Sequence, residues 1–289
     1  MMHIERHKEA GTLYVVSTPI GNLEDITLRA LKVLGAAGRI AAESVDHTRL
    51  LCRRHGLKAR LISYNQHNRK ARGPELLKLL HSGQDVALVT NAGAPGVSDP
   101  GVSLVNQALN EGIRVAPVPG PSAVTTALSV AGMRADRFLF FGFLSHSQGK
   151  RRKELKTLES QPHTMVFFEA PHRLEAALKD MSDIFGDRPM VLAKEMTKIF
   201  EQVMVGTVRS ISEWAEHSGE IRGEYTLVVA GSEKGQALTA TPEEVERRID
   251  QMLKRGGMSV RDMAHRIASE AGLDYRSVYK ACIQRKRAL

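Results

Sequence analysis

The residues most suited to chemistry in this chain lie in the central loop, residues 90–101, which contains three glycines and two prolines. Glycine permits positive φ and close approach of a ligand, whereas proline fixes φ and removes an N–H donor. Together they favour a rigid, concave backbone that contacts a ligand through main-chain atoms. A plain strand-to-helix connection needs only about two to six residues. The loop therefore predicts a ligand site, with a rigid turn that holds no ligand as the alternative.

Two basic clusters indicate a polyanionic partner. The chain has 41 Lys and Arg against 32 Asp and Glu, a formal net charge of +9. Because neutralising phosphates releases counterions, such clusters favour RNA. The alternative is a solvated charged face. The clusters comprise Lys150, Arg151, Arg152 and Lys153 in mid-chain, and Arg276, Lys280, Arg285, Lys286 and Arg287 near the end.

Composition excludes several classes of protein. No run approaches the roughly 20 apolar residues that a membrane span needs, and residues 1–11 lack the apolar core of a signal peptide. The two cysteines, Cys52 and Cys282, have no metal-ligand neighbours at zinc spacing. We therefore expect a cytoplasmic protein with neither a metal site nor a disulfide framework.

The elements that position the central loop are predicted by alternation of β-rich and helical periodicity in the first half of the chain. This alternation is typical of an α/β domain with a largely parallel sheet. Strands are predicted at 13–17, 40–42, 60–63, 86–90 and 115–118, and helices at 28–34, 47–54, 74–81 and 102–110. The loops 18–22, 90–101 and 117–122 each follow a strand, so we expect them at one edge of the sheet.

The second half of the chain predicts a different organisation. Strands follow one another more directly at 138–143, 164–168, 190–195, 201–205 and 225–230, which favours a mixed sheet. We predict a polar extension at 1–11, an α/β domain at 12–134, a second α/β domain at 135–231, and a linker with a basic helical region at 232–289. Within the last region, residues 259–279 have helix-turn-helix spacing around Gly272. The tail either contacts RNA or only packs.

Motifs for several common cofactors are missing from the sequence. It contains neither the Gly-x-Gly-x-x-Gly of a dinucleotide site nor the P-loop of nucleotide triphosphatases. The His-Glu-x-x-His zinc helix and the Gly-x-Ser-x-Gly elbow are also missing. The central loop therefore indicates another class of ligand.

Six segments together strongly resemble one family, the bacterial enzymes that methylate a cytidine 2′-hydroxyl of 16S ribosomal RNA, within the tetrapyrrole methylase superfamily. In order they read LYVVSTPIGNLEDITLRAL at 13–31, AES at 42–44, TNAGAPGVSDPG at 90–101, VPGPSA at 118–123, FFEAPHRL at 167–174 and GEYTLVVA at 223–230. The resemblance covers residues 12–289. It implies two α/β domains with a cleft for S-adenosylmethionine between them, a small C-terminal helical region, and, commonly, a homodimer.

The resemblance also implies which residues bind the cofactor, mainly through main-chain atoms. The carboxylate of its methionine part would lie at the helix start near Ser122. The complete set is Pro19, Gly21, Asn22, Gly93, Ala94, Pro95, Val97, Ser98, Asp99, Pro121, Ser122, Ala123, Phe168, Ala193, Tyr225, Thr226 and Leu227.

Two departures of the central loop from the family pattern remove a functional group. The family loop usually begins Ser-Asp-Ala-Gly-Thr-Pro, whereas this chain has Asn91 and Ala94 at the second and fifth positions. Asn91 removes a carboxylate near a cationic cofactor, and Ala94 removes a hydroxyl group. If the family aspartate holds the loop by hydrogen bonds, asparagine can replace it.

The nucleophile of the implied reaction, a ribose 2′-hydroxyl, is weak. It must be activated by a base or a nearby cation. Glu169 or Lys194 would accept the proton, and Arg173 would hold a phosphate. The alternative is that Glu169, Arg173 and Glu195 form structural ion pairs. His172 joins the two basic clusters as a candidate RNA contact, or is an exposed helix-start residue. Glu43 is a further polar group at the sheet edge, and the polar residues 65–68 either read RNA edges or form a solvated turn.

The implied partner is 16S ribosomal RNA or the small ribosomal subunit. Two other functions compete with this one: a tetrapyrrole methylase acting on a small molecule, and a noncatalytic nucleic-acid-binding protein. The first does not need the basic clusters, and the second does not explain the Gly/Pro-rich loops.

Overall fold

The computed structural model describes residues 10–99, 101–232, 242–255, 257–271 and 273–288. The chain divides into two compact units. The first unit contains the residues up to Val130 together with Ala193–Val203, and the second contains Ala131–Leu192 and the residues from Met204 onward. The predicted extension at 1–11 and linker at 232–241 lie almost entirely outside the described residues, as does the predicted turn at Gly272.

The first unit contains a parallel sheet, as predicted. Its strands are β1 (Leu13–Val16), β2 (Arg39–Ala42), β3 (Leu61–Ser63), β4 (Val86–Val89) and β5 (Val115–Val118). They are arranged in the order β3-β2-β4-β1-β5, and all of their pairings are parallel. The helices between and after them are α1 (Leu28–Ala36), α2 (Val45–Arg54), α3 (Arg69–His81), α4 (Gly101–Asn110) and α5 (Ala123–Val130).

Strand β4 lies at the centre of this sheet and is buried along its whole length. Its side chains alternate between two cores, with Leu88 in one and Val89 in the other. A parallel sheet covered by helices on both faces needs such a continuous apolar strand. The central loop begins directly after β4, so its first residue is fixed by the best-packed strand of the unit.

Helix α3 differs from the sequence prediction, which began it at Pro74. The helix begins at Arg69 and includes Pro74 in its interior. Leu76, Leu77 and Leu80 are buried on one side of the helix and stabilise it by packing. The sequence predicts the later start because proline is common at the first position of a helix.

The second unit is organised around a mixed sheet, also as predicted. Its strands are β6 (Phe138–Phe143), β7 (Thr164–Glu169), β8 (Pro189–Lys194), β9 (Gln202–Thr207) and β10 (Tyr225–Val229), in the order β6-β7-β10-β8-β9. β6 and β7 are parallel, whereas β7 and β10 are antiparallel. The helices between these strands are α6 (Gln148–Thr157), α7 (Pro171–Phe185) and α8 (Val208–His217).

The C-terminal region forms three helices, α9 (Pro242–Arg255), α10 (Val260–Ala271) and α11 (Tyr275–Ala288). They share a core that includes Ile249, Ile267 and Cys282. Helix α10 is capped by Ser259, whose hydroxyl accepts a hydrogen bond from the Asp262 N–H at 3.1 Å. No helix in the described part of the chain is long and apolar enough to cross a membrane.

Candidate functional site

The central loop is joined to the loop after β1 by backbone hydrogen bonds. The Thr18 N–H donates to the Gly93 carbonyl at 2.9 Å, and the Gly93 N–H donates back at 3.0 Å. The Thr18 hydroxyl also donates to the Thr90 carbonyl at 3.0 Å. These contacts bring together two of the three Gly/Pro-rich loops predicted to share an edge.

The third loop meets the other two at Gly93. A Cβ atom at Gly93 would lie 3.6 Å from the Ile20 side chain and 3.8 Å from the Pro121 carbonyl oxygen. Gly93 also has φ of +75°, a conformation that other residues rarely adopt. Backbone from three loops therefore converges around one glycine, as expected for a ligand site built from main-chain atoms.

Asp99 holds the second half of the central loop in shape. Its carboxylate accepts hydrogen bonds from the Gly96 N–H at 2.8 Å and from the Gly101 N–H at 2.6 Å. A Cβ atom at Gly101 would lie 2.8 Å from Asp99 Oδ1 and 3.0 Å from the Gly96 nitrogen, so a larger residue would disturb these hydrogen bonds. Ser98, between them, has φ of +63°. Asp99 therefore acts on the loop itself, and both of its carboxylate oxygens are engaged.

Glu43, which follows β2, holds the first half of the loop. Its Oε2 atom accepts hydrogen bonds from the Thr90 hydroxyl at 2.7 Å and the Asn91 N–H at 3.1 Å. The sequence predicts Glu43 only as a polar group at the sheet edge. Its position immediately after a strand was the available signal, but its partners were not visible in the sequence.

The loop after β1 is fixed within the first unit by the segment that follows β8. The Asn22 N–H donates to the Thr197 hydroxyl at 2.9 Å. A Cβ atom at Gly21 would lie 2.8 Å from the Met196 carbonyl oxygen, so only glycine fits there. Pro19 and Ala193 are buried, whereas Gly21 and Asn22 are exposed.

The remaining predicted cofactor contacts of the first unit are accessible to different degrees. Val97 and Ser98 are exposed, while Ala94, Pro95 and the helix-start residues of α5 are half-buried. Those helix-start residues are Pro121, Ser122 and Ala123.

In the second unit, Glu169 and Arg173 form an ion pair. Glu169 is 3% exposed, and its Oε1 atom accepts hydrogen bonds from Arg173 Nε at 2.9 Å and from a terminal guanidinium nitrogen at 2.6 Å. The guanidinium carbon also lies 5.9 Å from the centroid of the Phe143 ring. Because the Glu169 carboxylate is already engaged, this geometry agrees with the alternative that Glu169 forms a structural ion pair. The pair also orients the Arg173 side chain. His172 is exposed beside them.

Glu195 belongs to a different pair from the one that the sequence proposed. Its Oε1 atom lies 2.9 Å from the ammonium nitrogen of Lys198. Lys194, the last residue of β8, is half-buried. No carboxylate of the described residues lies within ion-pair distance of Lys194, so its charge is available for another partner.

The predicted contacts on β7 and β10 separate onto two faces of their sheet. Phe168 and Thr226 are register partners and share one face. Tyr225 and Leu227 belong to the hydrophobic core on the other face, and Leu227 is fully buried. Core packing therefore occupies these two side chains, and the predicted cofactor contacts of Tyr225 and Leu227 rest on their main-chain atoms.

The structure also corrects the role of Arg151 in the mid-chain cluster. Arg151 is 4% exposed, and its guanidinium donates to Asp180 of α7 at 2.8 Å. Arg152 contacts the carboxylates of Asp180 at 2.9 Å and Asp183 at 2.6 Å. Arg151 is thus an internal link between α6 and α7 and cannot contact phosphate. Lys150 and Lys153 are exposed and have no ion pair with any described residue.

Ion pairs likewise divide the second basic cluster. Arg285 contacts Glu246 at 3.2 Å and Asp250 at 3.1 Å, so it links α11 to α9. Arg276, Lys280 and Lys286 are exposed. The side chain of Arg287 lies outside the described residues.

No group of three or more His, Cys, Asp or Glu side chains suited to a metal ion occurs in the described ranges.

Comparison with known proteins identifies the family of the chain. Residues 12–212 match the model of the Tetrapyrrole (Corrin/Porphyrin) Methylases. The chain is 40% identical over 279 residues to ribosomal RNA small subunit methyltransferase I of Pseudomonas aeruginosa, covering 96% of this chain and 98% of the relative. The protein of the same name from Bacillus subtilis is 37% identical over 289 residues, covering 97% of both chains.

Solved structures share the fold. Uroporphyrin-III C-methyl transferase from Thermus thermophilus, complexed with S-adenyl homocysteine, matches with a TM-score of 0.57 and 20% identity, over 76% of this chain and 97% of that one. At that identity the likeness concerns the fold alone. The family predicted from the sequence motifs is confirmed by the near full-length relatives. The chain belongs to the ribosomal RNA small subunit methyltransferase I family of the tetrapyrrole methylases.

Proposed function

We propose that this protein transfers a methyl group from S-adenosylmethionine to the ribose 2′-hydroxyl of a cytidine in 16S ribosomal RNA. The observation that carries the proposal is the convergence of three Gly/Pro-rich loops around Gly93. Two relatives that align over at least 96% of the chain support the proposal, because both are named ribosomal RNA small subunit methyltransferase I. The S-adenyl homocysteine bound to the Thermus thermophilus enzyme supports the choice of cofactor.

The loops around Gly93 fit this cofactor chemically. The nearest neighbours that a Cβ atom at Gly93 would meet are an apolar side chain and a carbonyl oxygen, and both carboxylates nearby, Glu43 and Asp99, are engaged by the loop. Apolar walls with a few fixed polar groups suit an adenine base and a sulfonium. The start of α5 offers N–H groups to a carboxylate. S-adenosylmethionine supplies an electrophilic methyl group when bound.

The roles of the predicted catalytic residues follow from their surroundings. Arg173 is oriented by Glu169 and keeps donor groups free for an RNA phosphate. Lys194 has no carboxylate partner among the described residues, so it is the better candidate to accept the hydroxyl proton or to stabilise the developing oxyanion. Glu169 then acts by positioning Arg173.

Lys150 and Lys153, with Arg276, Lys280 and Lys286, are the proposed phosphate contacts. All five are exposed. Phosphate contacts position RNA, whereas base contacts specify it. Since the substrate is ribosomal, we also propose that the protein acts in the cytoplasm, on 16S RNA or the small subunit, and as a homodimer.

Mass spectrometry of ribosomal RNA tests the function. A bacterial strain that lacks its own relative of this chain should lose one 2′-O-methylcytidine from 16S RNA, and expression of this chain should restore it. A small-molecule methylase or a noncatalytic binding protein would leave the nucleoside unmethylated. Purified protein, S-adenosylmethionine and RNA from the deletion strain should reproduce the transfer in vitro.

A further inference from the structure

A polar cavity of about 700 Å³ opens in the first unit beside the central loop. Its volume lies within the range of about 300–1,000 Å³ that is usual for small-molecule sites. Strands β2, β3 and β4 each end at this cavity, because its lining includes Glu43, Asn65 and Asn91, which follow them. The carboxyl edge of a parallel sheet is the usual place for a ligand.

One wall of the cavity is a tight polar turn at residues 65–68. The Asn65 side-chain oxygen accepts hydrogen bonds from the His67 N–H at 3.0 Å and the Asn68 N–H at 3.3 Å. In return, Asn68 Oδ1 accepts one from the Asn65 N–H at 2.8 Å, and its amide donates to the Ser63 carbonyl at 3.1 Å. Asn65 and Asn68 therefore fix the turn, and it presents His67 in a defined position.

The two carboxylates in the lining are occupied by the protein. Glu43 Oε2 accepts hydrogen bonds from Thr90 and Asn91, and both oxygens of Asp99 accept backbone N–H groups. Arg69 is exposed at the first turn of α3 and forms no ion pair within the described chain. Its guanidinium is therefore the group of the lining that has donors available for a phosphate.

The uncharged groups of the lining suit a nucleobase. His67 and Asn91 are both exposed, and the Asn91 side chain forms no hydrogen bond with the described residues. The side chain of Val102 forms an apolar part of the wall, and this residue is 57% exposed. Proteins read single-stranded RNA through the edges of splayed bases, using side chains of this kind.

We propose that this cavity binds one nucleotide of the RNA substrate, with its phosphate on Arg69 and its base edge at His67 and Asn91. The inference rests on the proposed RNA methylation and adds the place where the RNA strand enters the first unit. The central loop forms part of the cavity wall through Gly96, Ser98 and Asp99. A bound nucleotide would therefore lie against the same loop that is proposed to hold the cofactor.

The first test removes the cation. Arg69→Ala, alone and with His67→Ala, should raise the KM for 16S RNA about tenfold or more, since a net hydrogen bond to a charged group corresponds to at least a decade in affinity. The dissociation constant for S-adenosylmethionine, measured by calorimetry, should stay unchanged and would show that the variants fold. Lys78→Ala, which removes an exposed cation from the last turn of the same helix, is the matched control and should retain the wild-type KM.

A second test changes charge at constant size. Val102→Glu places a carboxylate in the cavity, whereas Val102→Gln places a neutral group of the same shape there, so KM should rise much more for the first variant. An unchanged KM in the Arg69 and His67 double variant, equal values for the two Val102 variants, or weakened cofactor binding by Arg69→Ala would each overturn the inference. Failure of the wild-type protein to methylate RNA would instead overturn the proposed function, and the inference with it.

Discussion

Asn91 contributes its backbone, not its side chain, to the shape of the central loop. The N–H of this residue donates to Glu43 at 3.1 Å, while its carboxamide forms no hydrogen bond among the described residues. Ala94, the second departure from the family pattern, is half-buried. The loop is held instead by Glu43, by Asp99 and by the exchange of hydrogen bonds between Thr18 and Gly93. Its form should therefore tolerate either residue at these two positions.

Restoring the usual family residues should accordingly have little effect on the cofactor. We expect Asn91→Asp and Ala94→Thr to change the dissociation constant of S-adenosylmethionine by less than about fivefold, since an exposed charge contributes roughly 0.2–1 kcal/mol. Isothermal titration of each variant measures this constant. A gain of a hundredfold would mean that side-chain charge, rather than backbone shape, dominates cofactor binding.

The separate environments of Glu169 and Lys194 predict different kinetic effects. Lys194→Met should lower kcat by about 10²–10³, the usual loss when one group that stabilises an oxyanion is removed. Lys194→Arg should recover part of that rate if the lysine acts as a cation, and none if it acts as the base. Single-turnover methylation of RNA with saturating cofactor measures these rates.

Glu169→Gln serves as the comparison, because we expect it to act through Arg173. It should raise the KM for RNA more than it lowers kcat, since the guanidinium loses its charged partner. A full rate in Lys194→Met together with a lost rate in Glu169→Gln would reverse the two assignments.

At the scale of elements, the link between α6 and α7 is the clearest stabilising interaction involving charge. Arg151 and Asp180 are both buried and form a hydrogen-bonded ion pair, with a further contact from Arg152. Burial alone would raise the pKa of Asp180, but the hydrogen bonds from Arg152 and Arg151 outweigh it and hold the pKa below its usual value. The carboxylate form is therefore favoured by folding.

Removing Arg151 should be costly, because it leaves the buried Asp180 carboxylate with only the partly exposed Arg152 as a cationic partner. We expect Arg151→Ala to lower the free energy of unfolding by about 3–5 kcal/mol, measured by urea denaturation at neutral pH. Since the pKa of Asp180 is lowered by folding, the stability it contributes is present above the unfolded value of about 3.9 and is lost as the pH falls through the lower folded value. Lys153→Ala, on the exposed side of the same helix, is the control and should change stability little.

The elements themselves were largely predictable, whereas long-range partners were not. The five strands of the first sheet follow from short apolar runs, because a parallel sheet buries both faces. The start of α3 was missed because Pro74 resembles a helix-start residue. Arg151 lies in a run of basic residues that is typical of an exposed surface. Its partner, Asp180, is 29 residues away in the sequence. Similarly, Glu43 bonds to Thr90, 47 residues along the chain, and no local pattern encodes that contact.

For the molecule as a whole, the net charge of +9 includes basic residues that are not available to contact RNA. Arg151 is internal, and Arg152 and Arg285 each contact two carboxylates. The remaining candidates are Lys150 and Lys153 on α6, with Arg276, Lys280 and Lys286 on α11. If both helices contact RNA phosphates, each should contribute separately to the salt dependence of binding.

Charge reversal of each helix measures that contribution. Lys150→Glu with Lys153→Glu, or Arg276→Glu with Lys280→Glu, should weaken 16S RNA binding and lower the slope of log affinity against log salt by about 1.5, since each phosphate contact contributes roughly 0.7–0.9. Filter binding between low and physiological salt gives the slope. The dissociation constant for S-adenosylmethionine should not change.

The control must separate local contacts from net charge. Arg53→Glu with Lys58→Glu changes the total charge equally at exposed positions near the end of α2, where we propose no RNA contact. If this control lowers the slope as much as the α6 and α11 variants do, then the basic clusters act only through the overall field of the protein. If only the α6 pair lowers the slope, the C-terminal helices pack without contacting RNA, and RNA contact by this region is wrong.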